Sequence, residues 1–198
     1  MSHLVAEAAE AALFPEHGFA LSAVAPENRL SELEFYHPLK PLSPRTLKEV
    51  FAPFGHAGSL QGFPERLGRL TFAPLQGHMK GFIDLVAVHD GRFYLVDWKS
   101  NRLGADPADP DAYAPERLAA VMQDEFYVLQ YCIYTLALHL YLRLRLPAYD
   151  YRRDFGGVAY VFLRGLDRKR NPRSGIFRDR PDPKLVHALG RALIPDYE

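Results

Sequence analysis

A tight turn between two apolar runs most constrains how this chain can fold. Residues 81–104 read GFIDLVAVHDGRFYLVDWKSNRLG, and the pair Asp90-Gly91 separates two runs in which apolar residues alternate. Such a pair between alternating runs is a strong signal for a two-residue type I′ turn and therefore for a β-hairpin. With Asp90 and Gly91 at the centre of the turn, His89 pairs with Arg92, and the register of the whole hairpin follows.

That register places charged side chains on one face of the hairpin. Asp84 lies opposite Asp97, and Lys99 shares their face because it stands two residues after Asp97. Two opposed carboxylates repel, so they need a shared proton, the Lys99 ammonium or a bridging divalent cation such as Mg²⁺ or Mn²⁺. One ammonium does not balance two carboxylates. The structural alternative is an Asp97–Lys99 ion pair at the end of a sheet, with Asp84 in solvent.

A third acid is available on the strand predicted over residues 30–40, which we expect to end at Pro38. Regular alternation puts Glu32 and Glu34 on the same face of this strand. If the strand joins the sheet beside the hairpin, one of the two glutamates can complete a site of three carboxylates.

The remaining pattern alternates helices with strands. Residues 155–165 are apolar enough for a central strand, and residues 166–180 are predicted to be a basic loop. Helical periodicity and capping residues predict helices at residues 4–14, 44–54 (capped by Ser43), 115–146 and 183–194. This order predicts a mixed α/β fold around one sheet.

Composition limits the kinds of protein this chain can be. Its 198 residues, 48% hydrophobic and 24% charged, are typical of a globular domain. Between Tyr141 and Arg180 there are eleven Lys/Arg and four Asp/Glu, a basic stripe that either contacts a polyanion or lies solvated.

A single cysteine, Cys132, excludes an internal disulfide and a cysteine-built zinc or iron–sulfur site. We find no signal peptide and no run of bilayer length, and expect a cytoplasmic protein with no membrane partner.

Several segments together resemble a known family. Gly81 to Asp84, then twelve residues, then Asp97-Trp98-Lys99 resembles the core motif of the PD-(D/E)XK nucleases. KGFIDLV, DWKSNRLG, LQYCIYTLALHLYLR and FGGVAYVFLRG together resemble the C-terminal nuclease domain of RecB, the beta subunit of exonuclease V. The resemblance runs from about Leu33 to the C-terminal helix. It implies an α/β fold of the restriction-endonuclease type, with a mixed central β-sheet flanked by helices.

The resemblance also implies roles for particular residues. Asp84 and Asp97 match the metal-binding aspartates of the family, the backbone carbonyl of Trp98 matches a further metal ligand, and Lys99 matches the catalytic lysine. Glu32 matches the upstream acid, because with Phe35 it fits an E-x-x-F pattern that Glu34 does not fit.

Three further expectations concern the helix, the DNA and the cofactor. The family motif Q-x-x-x-Y matches Gln130 and Tyr134, for which ordinary helix packing is the alternative reading. Mg²⁺ is the expected cofactor, with Mn²⁺ as a substitute and Ca²⁺ as an inhibitor, and the expected partners are DNA and helicase subunits of the RecC and RecD type. The candidate DNA contacts are Arg164, Arg168, Lys169, Arg170 and Arg173.

The chain departs from the family at two positions. Trp98 stands where the family has Tyr, and alternation puts its side chain on the face opposite the carboxylates, so catalysis should tolerate it. The family also has a metal-binding histidine on a helix before the first strand, and neither His3 nor His17 lies in a matching motif. A helicase P-loop is absent from the sequence. We therefore expect a fragment or truncated homologue whose metal site lacks one ligand.

The sequence thus predicts a single nuclease domain over residues 1–198, with an N-terminal extension (1–29) and a nuclease core (30–198). The expected activity is Mg²⁺-dependent hydrolysis of DNA phosphodiesters in double-strand-break repair and recombination. Two alternatives remain open. One is a catalytically weak module of the nuclease fold that assembles with helicase subunits, and the other is a nucleic-acid binder that uses the basic stripe without hydrolysis.

Overall fold

A five-stranded mixed sheet organises the chain in the computed structural model, which describes residues 2–73, 75–104, 106, 109, 111–167 and 169–197. In chain order the helices and strands are α1 (Ser2–Glu10), β1 (Ala12–Phe14), β2 (Phe19–Ala20), β3 (Arg29–Leu42), α2 (Pro44–Phe51), α3 (Phe63–Leu67), β4 (Leu75–His89), β5 (Arg92–Lys99), α4 (Pro115–Asp124), α5 (Tyr127–Arg145), α6 (Tyr151–Asp154), β6 (Phe155–Phe162), β7 (Ile176–Asp179) and α7 (Pro183–Leu193). None of the described helices is both long and apolar enough to cross a membrane.

The strands of the main sheet follow the order β3-β4-β5-β6-β7. Strands β4 and β5 are antiparallel, β5 and β6 are parallel, and β6 and β7 are antiparallel. With helices between the strands, this is the predicted α/β class, and it is consistent with a PD-(D/E)XK-like nuclease fold.

The β4–β5 hairpin has the register that the sequence predicted. His89 pairs with Arg92, and the ladder continues to the pair Leu85–Val96. Asp90 and Gly91 have φ values of 47° and 71°, and a type I′ turn requires positive φ at both central residues.

Close contacts between Cα atoms divide the chain into two compact units. The first comprises Met1–Leu33, Ile83–Val121 and Arg153–Arg180. Its core packs the aromatic ring of Tyr94 against those of Phe14 and Phe19 from the N-terminal segment. A β-carbon at Gly156 would lie 2.3 Å from the Tyr94 ring, so this close approach explains the glycine at the start of β6.

The second unit comprises Glu34–Phe82, Met122–Arg152 and Pro181–Glu198. It is mainly helical, and α7 packs against α5 and α2 with Leu185 and Leu189 fully buried. The predicted N-terminal cap of α2 is confirmed, because Ser43 Oγ accepts a hydrogen bond from the Thr46 N–H at 3.1 Å.

The single helix predicted over residues 115–146 was wrong, because the structure has two helices there. α4 ends at Asp124 and α5 begins at Tyr127. Between them Phe126 adopts a left-handed conformation with φ of 54°, and its ring centroid lies 6.2 Å from that of Phe63. The apolar spacing continues across the break, so periodicity alone could not reveal it.

Three other boundaries also differ from the prediction. Strand β3 does not end at Pro38 but runs to Leu42, and it is the outermost strand of the sheet, where proline is tolerated. The predicted basic loop 166–180 contains β7, where Ile176 is buried as β7 pairs with β6. Residues 4–14 are not one helix, because α1 ends at Glu10 and β1 follows it.

Candidate active site

The end of the β4–β5 hairpin carries the two aspartates that the sequence singled out, both in the first unit. The observed ladder reaches Leu85 and Val96, the residues next to Asp84 and Asp97. On the other side of β5, Asp97 is in register with Tyr160 of the parallel strand β6. This position in the middle of the sheet buries Asp97, which is only 2% exposed.

The electrostatic environment of Asp97 disfavours its charged form. Burial raises the pKa of the Asp97 carboxyl to about 6, against an ordinary value of 3.8. Lys99 opposes this rise, and the carboxylate of Asp84 adds to it. The last effect shows that the two aspartates interact as like charges, as the hairpin register requires.

Lys99 lies directly against this buried carboxylate. Its Nζ is 2.5 Å from Asp97 Oδ2 and 4.9 Å from the centroid of the Tyr160 ring. The ion pair of the structural alternative is therefore present, with the Lys99 ammonium as the partner of Asp97 Oδ2.

Asp84 is held by the backbone of the neighbouring strand. Its Oδ2 accepts a hydrogen bond from the Trp98 N–H at 2.9 Å, and the residue is half-buried rather than in solvent. The Trp98 side chain packs with the core cluster that contains Val96 and Val161, on the face opposite the carboxylates, as predicted. A cavity of about 400 Å³ opens beside Asp84 and is lined by Leu85, Trp98 and Leu163, among others.

The two glutamates of β3 have different positions from those that regular alternation predicts. Glu32 is exposed and has φ of 54°, a left-handed conformation that interrupts the regular pleat, so regular alternation does not determine the face on which its side chain lies. Glu34 forms an ion pair with Lys80, with Oε1 and Nζ 2.7 Å apart. Within the described part of the chain, no group of three or more Asp, Glu, His or Cys side chains is arranged to hold a metal ion. The role of Glu32 as a ligand stays a prediction.

The residues at the hairpin end nevertheless suit a divalent cation. They supply two carboxylates, one of them buried, and a single ammonium to balance them. A hard cation takes oxygen ligands and would offset both the burial of the Asp97 charge, which is the main cause of its raised pKa, and the smaller repulsion by Asp84.

The predicted Gln130–Tyr134 pair lies on α5, in the second unit. Gln130 Nε2 donates a hydrogen bond to Tyr134 Oη at 3.0 Å, and the Tyr134 ring meets the Phe35 ring edge-on with centroids 5.7 Å apart. The contact with Phe35 is helix packing, the alternative reading of the motif. A role of this pair at the carboxylates stays a prediction.

The predicted DNA contacts lie on the segment that follows β6. Arg164, Lys169, Arg170 and Arg173 are exposed, and Arg168 lies outside the described residues. The arginine at the start of this segment is fixed near the candidate site, because Arg164 Nε donates to the carbonyl of Ser100, the residue after Lys99, at 2.9 Å.

Sequence reasoning missed one residue that touches the site. Tyr160 presents its ring to Lys99. The apolar run FGGVAYVF predicted a central strand but not its register beside β5, so Tyr160 had no signal.

Comparison with known proteins gives related sequences but no matching family model. The chain is 45% identical over 172 residues to the RecBCD enzyme subunit RecB of Escherichia coli K12. This match covers 86% of this chain and 14% of that protein. It is 44% identical over 175 residues to RecB of Haemophilus influenzae, covering 88% of this chain and 13% of that protein. It is 36% identical over 191 residues to RecB of Mycobacterium tuberculosis H37Rv, and this match covers 87% of this chain and 17% of that protein. The chain thus matches only about one seventh of the length of these curated relatives.

Proposed function

The chain is homologous to one segment of the RecB subunit, and we propose that it is a metal-dependent deoxyribonuclease domain that acts in DNA repair and recombination. The observation that carries the proposal is the buried Asp97 beside the half-buried, like-charged Asp84, with Lys99 in contact with Asp97. The homology with RecB supports it, because it agrees with the resemblance of the sequence motifs to the nuclease domain of that family.

In this proposal each residue at the hairpin end has a distinct task. Asp84 and Asp97 would hold Mg²⁺ or Mn²⁺, together with the Trp98 carbonyl and Glu32. Such a cation, when bound, neutralises the carboxylates and withdraws charge from a phosphodiester. Lys99 carries an ammonium beside them, which can stabilise negative charge on a phosphate oxygen or orient an attacking water.

The backbone of the site favours a fixed arrangement of these groups. The Trp98 N–H orients the Asp84 carboxylate, and the Tyr160 ring limits where the Lys99 ammonium can move. Both contacts come from strands in the middle of the sheet, which are more rigid than loops. The exposed Arg164, Lys169, Arg170 and Arg173 are proposed to contact the phosphates of the DNA backbone.

Cleavage of linear single-stranded and double-stranded DNA with and without Mg²⁺ tests the proposal. We expect Mg²⁺-dependent cleavage by the unmodified chain and at least about a hundredfold slower cleavage by Asp97→Ala and by Lys99→Ala. Lys184→Ala and Glu65→Gln alter exposed groups on α7 and α3 and serve as matched controls that should cleave normally. Cleavage that survives both site substitutions would remove Asp97 and Lys99 from the chemistry.

One observation favours a second function, a catalytically weak module that assembles with helicase subunits. The described residues bring only two carboxylates together, without a third metal-binding side chain. Titration with Mn²⁺ by calorimetry separates the two functions. A nuclease should show a binding site that Asp84→Asn abolishes, whereas absence of Mn²⁺ binding by the folded, unmodified chain supports the assembly module.

The proposed partners follow from the same relatives. RecB is a subunit of the RecBCD enzyme, and we propose that this chain associates with DNA and with subunits of the RecC and RecD type.

A further inference from the structure

We propose that the exposed face of β3 and β4 in the second unit is a binding platform for single-stranded DNA. Its residues are Glu34 and Tyr36 on β3, and His78, Lys80 and Phe82 on β4, here called the strand platform. The choice of DNA as the ligand rests on the proposed function. The platform consists of residues other than those of the carboxylate site and the basic residues that follow β6.

Alternation along β4 creates the platform. His78, Lys80 and Phe82 stand at every second position of the strand, so their side chains leave the same face at intervals of about 7 Å. Tyr36 joins this face from the neighbouring strand, because its ring stacks on His78 with centroids 4.6 Å apart and planes 13° from parallel. The outer face of this stacked pair is open, since Tyr36 is 58% exposed.

The cation of the platform lies between its aromatic groups. Lys80 Nζ is 5.5 Å from the centroid of the Phe82 ring, and Phe82 is 47% exposed. The same ammonium pairs with Glu34 in a surface ion pair, both side chains being about half exposed. Glu34 is thus a built-in competitor for whatever anion Lys80 can bind.

The opposite face of the two strands is closed by packing. Phe35 is buried there, and a β-carbon at Gly81 would lie 2.5 Å from its ring. Tyr134 of α5 covers Phe35 from the other side. The exposed aromatic rings therefore belong to the face that points away from this packing, while the residues between them anchor the strands to the core.

An occupant of this face must present planar rings and negative charge together. Single-stranded DNA does so, because its bases can stack on exposed aromatic rings while its phosphates meet a lysine. Duplex DNA keeps its bases stacked internally and can use only the lysine. The interleaved order of aromatic, cationic and aromatic residues therefore fits the single strand better. On β4 the next alternate position after Phe82 is Asp84, so the strand that carries the platform also carries a proposed metal ligand.

Fluorescence anisotropy with a labelled oligothymidylate, measured on the whole chain in EDTA, tests the platform without any cleavage. Base–aromatic stacking contributes about 1–3 kcal/mol per base, so Tyr36→Ala and Phe82→Ala should each weaken binding about tenfold. Tyr36→Phe and Phe82→Tyr keep a ring and should bind as the unmodified chain does. Leu144→Ala is the matched control, since Leu144 is an apolar residue of the same unit that is 84% exposed on α5.

Glu34→Gln provides an independent test in the opposite direction. It removes the competing carboxylate without removing packed atoms, and we expect binding to become about twofold to fivefold tighter at low salt. If Glu34 were instead the third metal ligand, this variant would leave binding in EDTA unchanged and would slow Mg²⁺-dependent cleavage. That result would overturn the role of Glu34 in the platform.

An abasic oligonucleotide of the same length distinguishes stacking from simple charge attraction. The unmodified chain should bind it about as weakly as Tyr36→Ala binds the oligothymidylate. Equal affinity for the abasic and the complete strand, or unchanged affinity of both alanine variants, would overturn the inference. Because these measurements contain no divalent metal, the platform can fail while the nuclease proposal stands, and a failure of cleavage leaves the binding results intact.

Discussion

At the scale of the residue, the most informative position is Asp97. A carboxylate buried in the centre of a sheet normally costs stability unless its oxygens are well paired. Here the charges do not balance, because the single ammonium of Lys99 faces the Asp97 carboxylate while the carboxylate of Asp84 repels it. A site that holds such a group is organised around something other than stability, and this is typical of functional sites.

The raised pKa of Asp97 predicts how Asp97→Asn changes stability with pH in metal-free buffer. The folded chain holds the proton up to about pH 6, whereas the unfolded chain loses it near 3.8. The free energy of unfolding therefore falls as pH rises through this window, and the ionised group is destabilising above it. We expect Asp97→Asn to be about 1–3 kcal/mol more stable than the unmodified chain at pH 8 and nearly equal to it at pH 4.

Urea unfolding followed by circular dichroism at these two pH values measures the effect. Glu65→Gln, at an exposed carboxyl, is the control and should show no such gain. A less stable Asp97→Asn at pH 8 would mean that the ion pair with Lys99 outweighs the burial of the charge.

At the scale of the element, α5 shows how one helix can combine apolar packing with a buried polar residue. His139 is 5% exposed, its Nδ1 is 3.4 Å from Tyr149 Oη, and its Nε2 has no hydrogen-bond partner among the described residues. Its ring lies against His187 of α7 at 5.5 Å between centroids. Burial, with smaller contributions from the nearby His187 and Arg143, lowers the pKa of His139 to about 4.

This environment predicts acid sensitivity of the α5–α7 packing. Unfolded His139 takes a proton below about pH 6.5, and the folded residue resists it down to about pH 4. The free energy of unfolding therefore falls as pH decreases through that window, by about 2 kcal/mol between pH 7 and pH 5 for this residue. His139→Phe, which keeps a ring but cannot titrate, should lose that part of the pH dependence.

Urea unfolding at pH 7 and pH 5 measures this change in the free energy of unfolding. His56→Gln, at an exposed histidine, is the control. A pH dependence of stability in His139→Phe equal to that of the unmodified chain would contradict the role of His139.

Other elements show where periodic patterns mislead. The apolar spacing that predicted one helix over residues 115–146 is real, but Phe126 is left-handed and packs against Phe63. A favourable tertiary contact can support such a conformation, and no local signal in the sequence reports that contact. Strand β7 also lacked a local signal, because its two buried apolar residues lie within a strongly basic segment of the sequence.

At the scale of the whole molecule, the sequence by itself determined the hairpin and the groups at its end. The turn pair Asp90-Gly91 fixed the register, and period-two alternation then placed Asp84, Asp97 and Lys99 together, because both rules depend only on local backbone geometry. The class of fold and the relation to RecB also followed from sequence patterns.

Only the tertiary structure decided what surrounds those groups. The parallel register of β5 with β6 put Tyr160 under Lys99, and the left-handed Glu32 broke the alternation on which the third carboxylate depended. The tertiary structure also pairs Glu34 with Lys80 and stacks Tyr36 on His78. These features join residues that are distant in the sequence. Their geometry is set by the packing of whole strands and helices, which no local pattern encodes.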